Sequence, residues 1–351
     1  MNTIIGNRLA FKTFDYLKVN ETKIQVADLN HLDYFLESDE DHIRHLKELD
    51  KIRYGVSEEA LQMNQNYLNL YKVYETKTGE ELDFSLLRLE TDDKYHQLMD
   101  RHDLIAGKDS KLRLVLDYHS IGERDKFRNS VIRIIAREKS EVELFIIQRE
   151  DKPNTSLESI AIYAEDHAKV KVFQYQLGTH RLYTNYQCEL VGEKSEGYVN
   201  SIFFGNRDDE LNILYNMIHR GKKTNSDILV NGALKDQAQK NFKSNLEFKE
   251  GAVQSIGSEE EYVILLDDNV HSISVPLMLC HEDDVEGNHA ASAGQIDPEI
   301  LFYLMTRGIS LEEAETLIIE SKFAASIDSI KDEELEKEIW NAVRKIIKAG
   351  K

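Results

Sequence analysis

The densest run of side chains able to do chemistry is residues 271–297, HSISVPLMLCHEDDVEGNHAASAGQID. It holds Cys280, three histidines (His271, His281, His289) and the carboxylates Glu282, Asp283, Asp284 and Glu286. Thiolate and imidazole are natural ligands for iron or zinc, and carboxylates suit harder cations. Cys280 closes an apolar run, where a free cysteine is ordinarily a small buried hydrophobe. By alternation, however, it shares parity with Ser274, Pro276 and Met278, and the aliphatic residues Ile273, Val275, Leu277 and Leu279 occupy the other face. The expectation is that Cys280 points away from the core, toward a partner surface. His281 to Asp284 reads as a solvated acidic turn. His289 sits among Gly287, Asn288, Ala290, Ala291, Ser292, Ala293 and Gly294, a small-residue turn that permits close backbone approach at an interface.

Elsewhere the signatures of autonomous enzymes are missing. The nearest approach to a phosphate-binding loop is Gly221, Lys222, Lys223, Thr224, but Asn216 stands where the first glycine belongs. Without that glycine the backbone cannot cradle a phosphate, so no nucleotide is expected on this chain. There is no G-x-S-x-G, H-E-x-x-H, C-x-x-C or G-x-G-x-x-G, and no catalytic residue is assigned. With 44 Lys and Arg against 64 Asp and Glu, the net charge of -20 repels phosphate backbones and argues against nucleic acid. Two distant cysteines, Cys188 and Cys280, suggest no disulfide framework and fit a reducing compartment. No secretory leader and no apolar run near the ~20 residues of a membrane span are evident, so a cytoplasmic protein with no membrane partner is expected.

Three stretches position these residues. Residues 1–88 read as mainly helical. Ser38 opens one helix with Ile43, Leu46, Leu49 and Ile52 on a face and Gly55 at its end; Ser57 opens another, carrying Leu61, Leu68 and Tyr71. Residues 89–295 change to period-two alternation, as in Leu112, Leu114, Leu116; Val142, Leu144, Ile146; and Leu182, Thr184, Tyr186, Cys188, Leu190. No helical pattern separates these strands, which excludes βαβ units and leaves a sandwich, an antiparallel barrel or a β-solenoid. Only Asn231-Gly232 is a hairpin dipeptide. Small residues (Ala168, Ala238, Ala252) recur near inward-facing turns, which favours stacked rungs. Residues 296–351 return to helix. Asp297 caps Pro298, Gly308 fits the C′ position, Ser310 and Glu313 form a capping box, and a third helix starts near Asp332.

The run PLMLCHEDDVEGNHAASAGQIDPEILFYLMTRGISLEEAETLIIESKF, residues 276–323, resembles the C-terminal signature of the SufB/SufD family. Asp283, Asp284, Val285, His289, Gly294, Ile296, Asp297, Leu301 to Leu304, Arg307 to Ile309 and Phe323 carry the match. Residues 105–325 are covered by it more loosely. The resemblance implies a mainly β fold, a right-handed parallel β-helix core flanked by N- and C-terminal helical regions. It implies a non-catalytic scaffold of iron–sulfur cluster assembly that pairs through the end of its β-helix and docks a SufC-type ABC ATPase on its C-terminal helices. The docking residues would be Asp297, Leu301, Phe302, Tyr303, Arg307, Gly308, Ile309 and Phe323. Iron or an iron–sulfur cluster would be held transiently at a subunit interface by His289, with Cys280 a weaker ligand. Val270 stands where the SufB branch has a cysteine and His289 where it has an acid, so the chain looks SufD-like. It departs from that branch at Gly287 and Ala290, where Cys and Gly are usual, and in a compressed stretch around 178–200. The partner would be a SufB-like paralogue or, for a minimal homodimeric scaffold, a second copy of this chain. A β-helix carbohydrate-active enzyme using Asp283 and Asp284 is the alternative of another class.

Overall fold

The computed structural model describes residues 2–13, 15–151 and 153–348. Sixteen strands, β3 (Leu70–Thr76) to β18 (Val285–Gly294), form two eight-stranded parallel sheets. Odd-numbered strands make one sheet and even-numbered strands the other, so the chain alternates between sheets and climbs one rung every two strands. This is a parallel β-solenoid of eight rungs, and among the described residues antiparallel pairing is confined to β1 (Asn2–Gly6) with β2 (Thr22–Val26). Within each rung, alternate residues face a shared lumen. Leu114, Leu144, Val172, Val199 and Ile228 stack there in register on the even sheet.

The turns explain how non-glycine residues build so regular a stack. At six successive turns from an odd to an even strand, one residue takes the left-handed backbone conformation: Asp109, Lys139, His167, Lys194, Lys223 and Gln254, with φ between 55° and 59°. The next residue is a buried small one, Ser110, Ser140, Ala168, Ser195, Thr224 or Ser255. The Ser110, Ser140 and Ser195 hydroxyls donate to the carbonyl three residues back, closing the turn. Ala168, Ala238 and Ala252, in the connections between strands, are fully buried, as the spacing predicts.

The N-terminal stretch departs from the helical reading. Residues 2–88 carry β1, β2, β3, β4 (Glu81–Thr91, overlapping the end of the stretch) and a single α-helix, α1 (Glu58–Asn66), capped by Ser57 as expected. Residues 38–55 are not a helix; only Lys47–Leu49 makes a short 3-10 turn. Their apolar side chains anchor an extended segment instead. Leu49, with Leu46 and Ile52, packs on Ile135, Ala161 and Tyr163 of the odd sheet's outer face. Helix α1 ends before Leu68, and Tyr71 lies in β3.

Three helices follow the solenoid: α2 (Pro298–Thr306), α3 (Leu311–Ile327) and α4 (Glu333–Lys348). The expected caps are all formed, with the Asp297 carboxylate accepting from Glu299 N–H at 2.8 Å and Ser310 and Glu313 making a reciprocal box. Ile319, Phe323, Ile327, Leu335, Ile339 and Val343 bury against Val115, Phe145, Tyr175, Ile202 and Phe204 on the outer face of the even sheet. Polar contacts fix the same seam: Tyr175 OH donates to Ser326 O at 2.6 Å, and Arg149 reaches Glu338 at 3.0 Å. Helix α2 buries none of its residues.

Candidate functional site

The last rung, β17 (His271–Cys280) and β18, has a neighbour on one side only. Every residue from Glu286 to Gly294 is exposed, although β18 pairs in register with β16 (Ser255–Leu265) along its whole length. His289 is therefore in a strand and not in a small-residue turn. It pairs with Glu259, and below that column lie Ile228 and Val199, both lumen-facing. His289 thus belongs to the lumen-facing set and crowns its open end.

Beneath it the lumen is unexpectedly polar. Glu259 and Glu261 are 2% and 1% exposed. One Glu259 oxygen accepts a hydrogen bond from the Ser244 hydroxyl, and the other, Oε2, has no partner. Burial pushes the Glu259 carboxyl up to about 7. Glu261 is matched by Lys240, whose Nζ lies 2.5 Å from Glu261 Oε1 and donates to Ser274 Oγ at 2.9 Å. Burial lowers the Lys240 ammonium from its ordinary value, and Glu261 opposes that shift. Desolvation thus disfavours the charged form of the lysine, as it does for any ion removed from water.

Cys280 also lies on the lumen side, contrary to the expectation from alternation. It pairs with Phe248, a core residue, and Met278 beside it packs on the same core. The aliphatic face is the outer one, because Val275 and Leu277 pack under Leu9 and Val19 of the N-terminal arm. Cys280 is nonetheless exposed, since no further rung covers it. Its neighbour column holds Gly287, where an added Cβ would fall 2.6 Å from Met278 Sδ. A cysteine at 287 would have to displace that thioether.

The acidic turn plays a backbone role. Glu282 accepts from the N–H groups of Gly251 (3.0 Å), Asp283 (3.0 Å) and Asp284 (3.5 Å), and these bonds hold its carboxyl below the usual range. His281 Nε2 lies 3.2 Å from Glu247 Oε1. Among the described residues no three His, Cys, Asp or Glu side chains converge to enclose a metal ion. One chain brings His289 and Glu259 together as register partners at the mouth of the lumen. An imidazole with an orphaned buried carboxylate oxygen suits ferrous iron chemically. The sequence hid Glu259 inside the run Glu259-Glu260-Glu261, which reads as a solvated acidic stretch until strand parity sends two of the three inward.

The other expected contact residues divide sharply. Phe302, Tyr303, Arg307 and Gly308 are exposed, and Leu301 and Ile309 half-buried. Phe302 is 70% and Tyr303 57% exposed, with Ile300, Met305 and Leu311 beside them. Phe323 is 1% exposed inside the seam between α3 and the solenoid, so it packs the fold and is closed to a partner. A polar groove of about 430 Å³ lies elsewhere, between the N-terminal arm and the odd sheet, with Tyr54, Asn216 and Asn245 in its walls. No helix among the described residues is long and apolar enough to cross a membrane.

The chain is thus a parallel solenoid with an uncovered last rung and, beyond it, a helix whose apolar residues stand in solvent. The family described as SUF system FeS cluster assembly, SufBD core domain, matches residues 88–322, and the chain belongs to that family. It is 32% identical over 159 residues to the iron–sulfur cluster assembly protein SufD of Bacillus subtilis, an alignment covering 45% of this chain and 36% of that protein. A SufBD family protein of Staphylococcus epidermidis is 25% identical over 191 residues, 54% of this chain and 41% of the relative. One from Mycobacterium bovis is 24% identical over 199 residues, 57% and 24% respectively. The alignments thus span between a quarter and two-fifths of the length of these relatives.

Proposed function

We propose that this chain is a SufD-like, non-catalytic scaffold subunit of a cytoplasmic iron–sulfur cluster assembly complex. It pairs through the open end of its solenoid with a SufB-like paralogue or a second copy of itself, and it docks a SufC-type ABC ATPase on α2 and the turn after it. ATP hydrolysis belongs to that partner. Iron or a nascent cluster is cargo, held transiently at the seam by His289, with Cys280 a lesser contributor. The observation carrying this reading is the last rung, whose uncovered lumen mouth presents an imidazole above a buried carboxylate. The bare apolar surface of α2 supports the docking half, since exposed contiguous apolar patches mark interaction sites.

The test is co-expression with a SufC-type ATPase, with and without a SufB-like subunit, followed by native mass measurement and anaerobic iron–sulfur reconstitution. The expected result is a complex containing the ATPase and reconstitution that His289→Ala abolishes while its melting temperature is kept. A chain that never captures the ATPase, or a His289→Ala complex that assembles clusters undiminished, overturns the corresponding half of the reading.

A further inference from the structure

We infer that Glu259 is a second iron ligand, acting with His289 as one chain's contribution to a metal site at the mouth of the lumen. This rests on the reading of His289 as an iron-holding residue and extends it one rung inward. The two residues are register partners on adjacent parallel strands. Such strands run about 4.8 Å apart. An ion with bonds of about 2 Å to each ligand atom fits between an imidazole and a carboxylate at that separation. The two carboxylates of this region are not equivalent. Glu261 already has Lys240 as its cation. Glu259 has the Ser244 hydroxyl in place of a cation, while Oε2 of both carboxylates is buried without a hydrogen-bond partner. A buried carboxylate without a cation is costly, and a divalent ion entering from the open end removes that cost. Because no third protein ligand converges among the described residues of one chain, the remaining positions fall to water or to the subunit across the seam.

The probe is cobalt(II), titrated anaerobically into the purified chain and into its complex, read by visible absorption and calorimetry. Wild type should bind, with tighter binding in the complex. Glu259→Gln, which keeps the Ser244 hydrogen bond, should weaken binding at least tenfold and alter the cobalt spectrum, with Glu261→Gln as the comparison that leaves the spectrum unchanged. Should Glu259→Gln fail to fold, Glu259→Asp keeps the charge, and a shifted spectrum is expected from the retracted carboxylate. Binding lost in His289→Ala but untouched by the Glu259 variants overturns the ligand role of Glu259 and leaves His289 standing. Loss with Glu259→Gln but not with His289→Ala removes His289 and keeps Glu259 as a metal-binding group. If wild type binds no cobalt, alone or in the complex, Glu259 is only a buried neutral acid and both assignments fall.

Discussion

Charged and titratable side chains inside the lumen carry their stability in a pH-dependent way. His219 is fully buried, with Nδ1 2.6 Å from Thr224 Oγ1 and Nε2 2.8 Å from Ser226 Oγ, and its ring stacks on Phe248. Burial pushes its pKa down to about 3. The unfolded chain, near 6.5, therefore takes up the proton first. The contribution of the neutral ring is complete above about pH 6.5 and is lost as pH falls toward 3, at no more than about 1.4 kcal/mol per pH unit. Denaturant unfolding of wild type and His219→Gln should show their stability difference shrinking by about 1–2 kcal/mol between pH 7 and pH 5. A pH-independent difference would mean that the histidine is not held neutral. Arg128 makes the complementary case. It is fully buried, its guanidinium lies 4.0 Å from the Tyr118 ring centroid, and it reaches Glu150 at 3.1 Å. Arg128→Ala strands Glu150 in the lumen and should cost about 3–5 kcal/mol, measured by chemical denaturation.

At the scale of elements, two phenylalanines allow folding and the proposed docking to be tested separately. Phe323 of α3 fills the seam on the even sheet, and Phe323→Ala should cost about 3–5 kcal/mol by leaving a cavity among Phe145, Tyr175 and Phe204. Phe302 of α2 stands in solvent, so Phe302→Ala should change stability by less than about 0.5 kcal/mol. It should nevertheless weaken capture of the ATPase severalfold in a pull-down. A fold disrupted by Phe302→Ala would place that ring in a core instead. The sequence made α2 to α4 legible because their caps and stripes are local signals. It made the strands legible by alternation, but it concealed how rungs turn. Asp109, Lys139 and His167 occupy a left-handed conformation usually announced by glycine or asparagine, and only the following buried Ser or Ala betrays it. Leu46, Leu49 and Ile52 misled because a three-residue apolar spacing serves an extended anchor with one 3-10 turn as well as a helix. Cys280 misled because Leu9 and Val19, far away in sequence, cover the outer face of the last rung and make it the aliphatic one. Parity was readable, but which side would be roofed was not.

For the whole molecule, the exposed last rung sets a problem that charge helps to decide. Strands at an open edge present unpaired backbone groups and invite another chain. Here β17 and β18 lack a neighbour on one side, and their small residues, Ala290 to Gly294, leave a flat approach. Two copies of this chain would bring together bodies that each carry a net charge of -20. Their repulsion is long-ranged at low salt and is screened beyond about 10 Å at 0.1 M ionic strength. Self-pairing should therefore tighten as salt rises, the reverse of an association built on opposite charges. Sedimentation velocity from 20 mM to 500 mM salt reads this directly, and a self-association that weakens across the series would contradict it. An Ala291→Lys variant, placing a bulky charge at the lumen mouth, should stay monomeric throughout. If that variant dimerises as readily as wild type, the seam lies on another face, and the proposed pairing through the mouth at His289 falls.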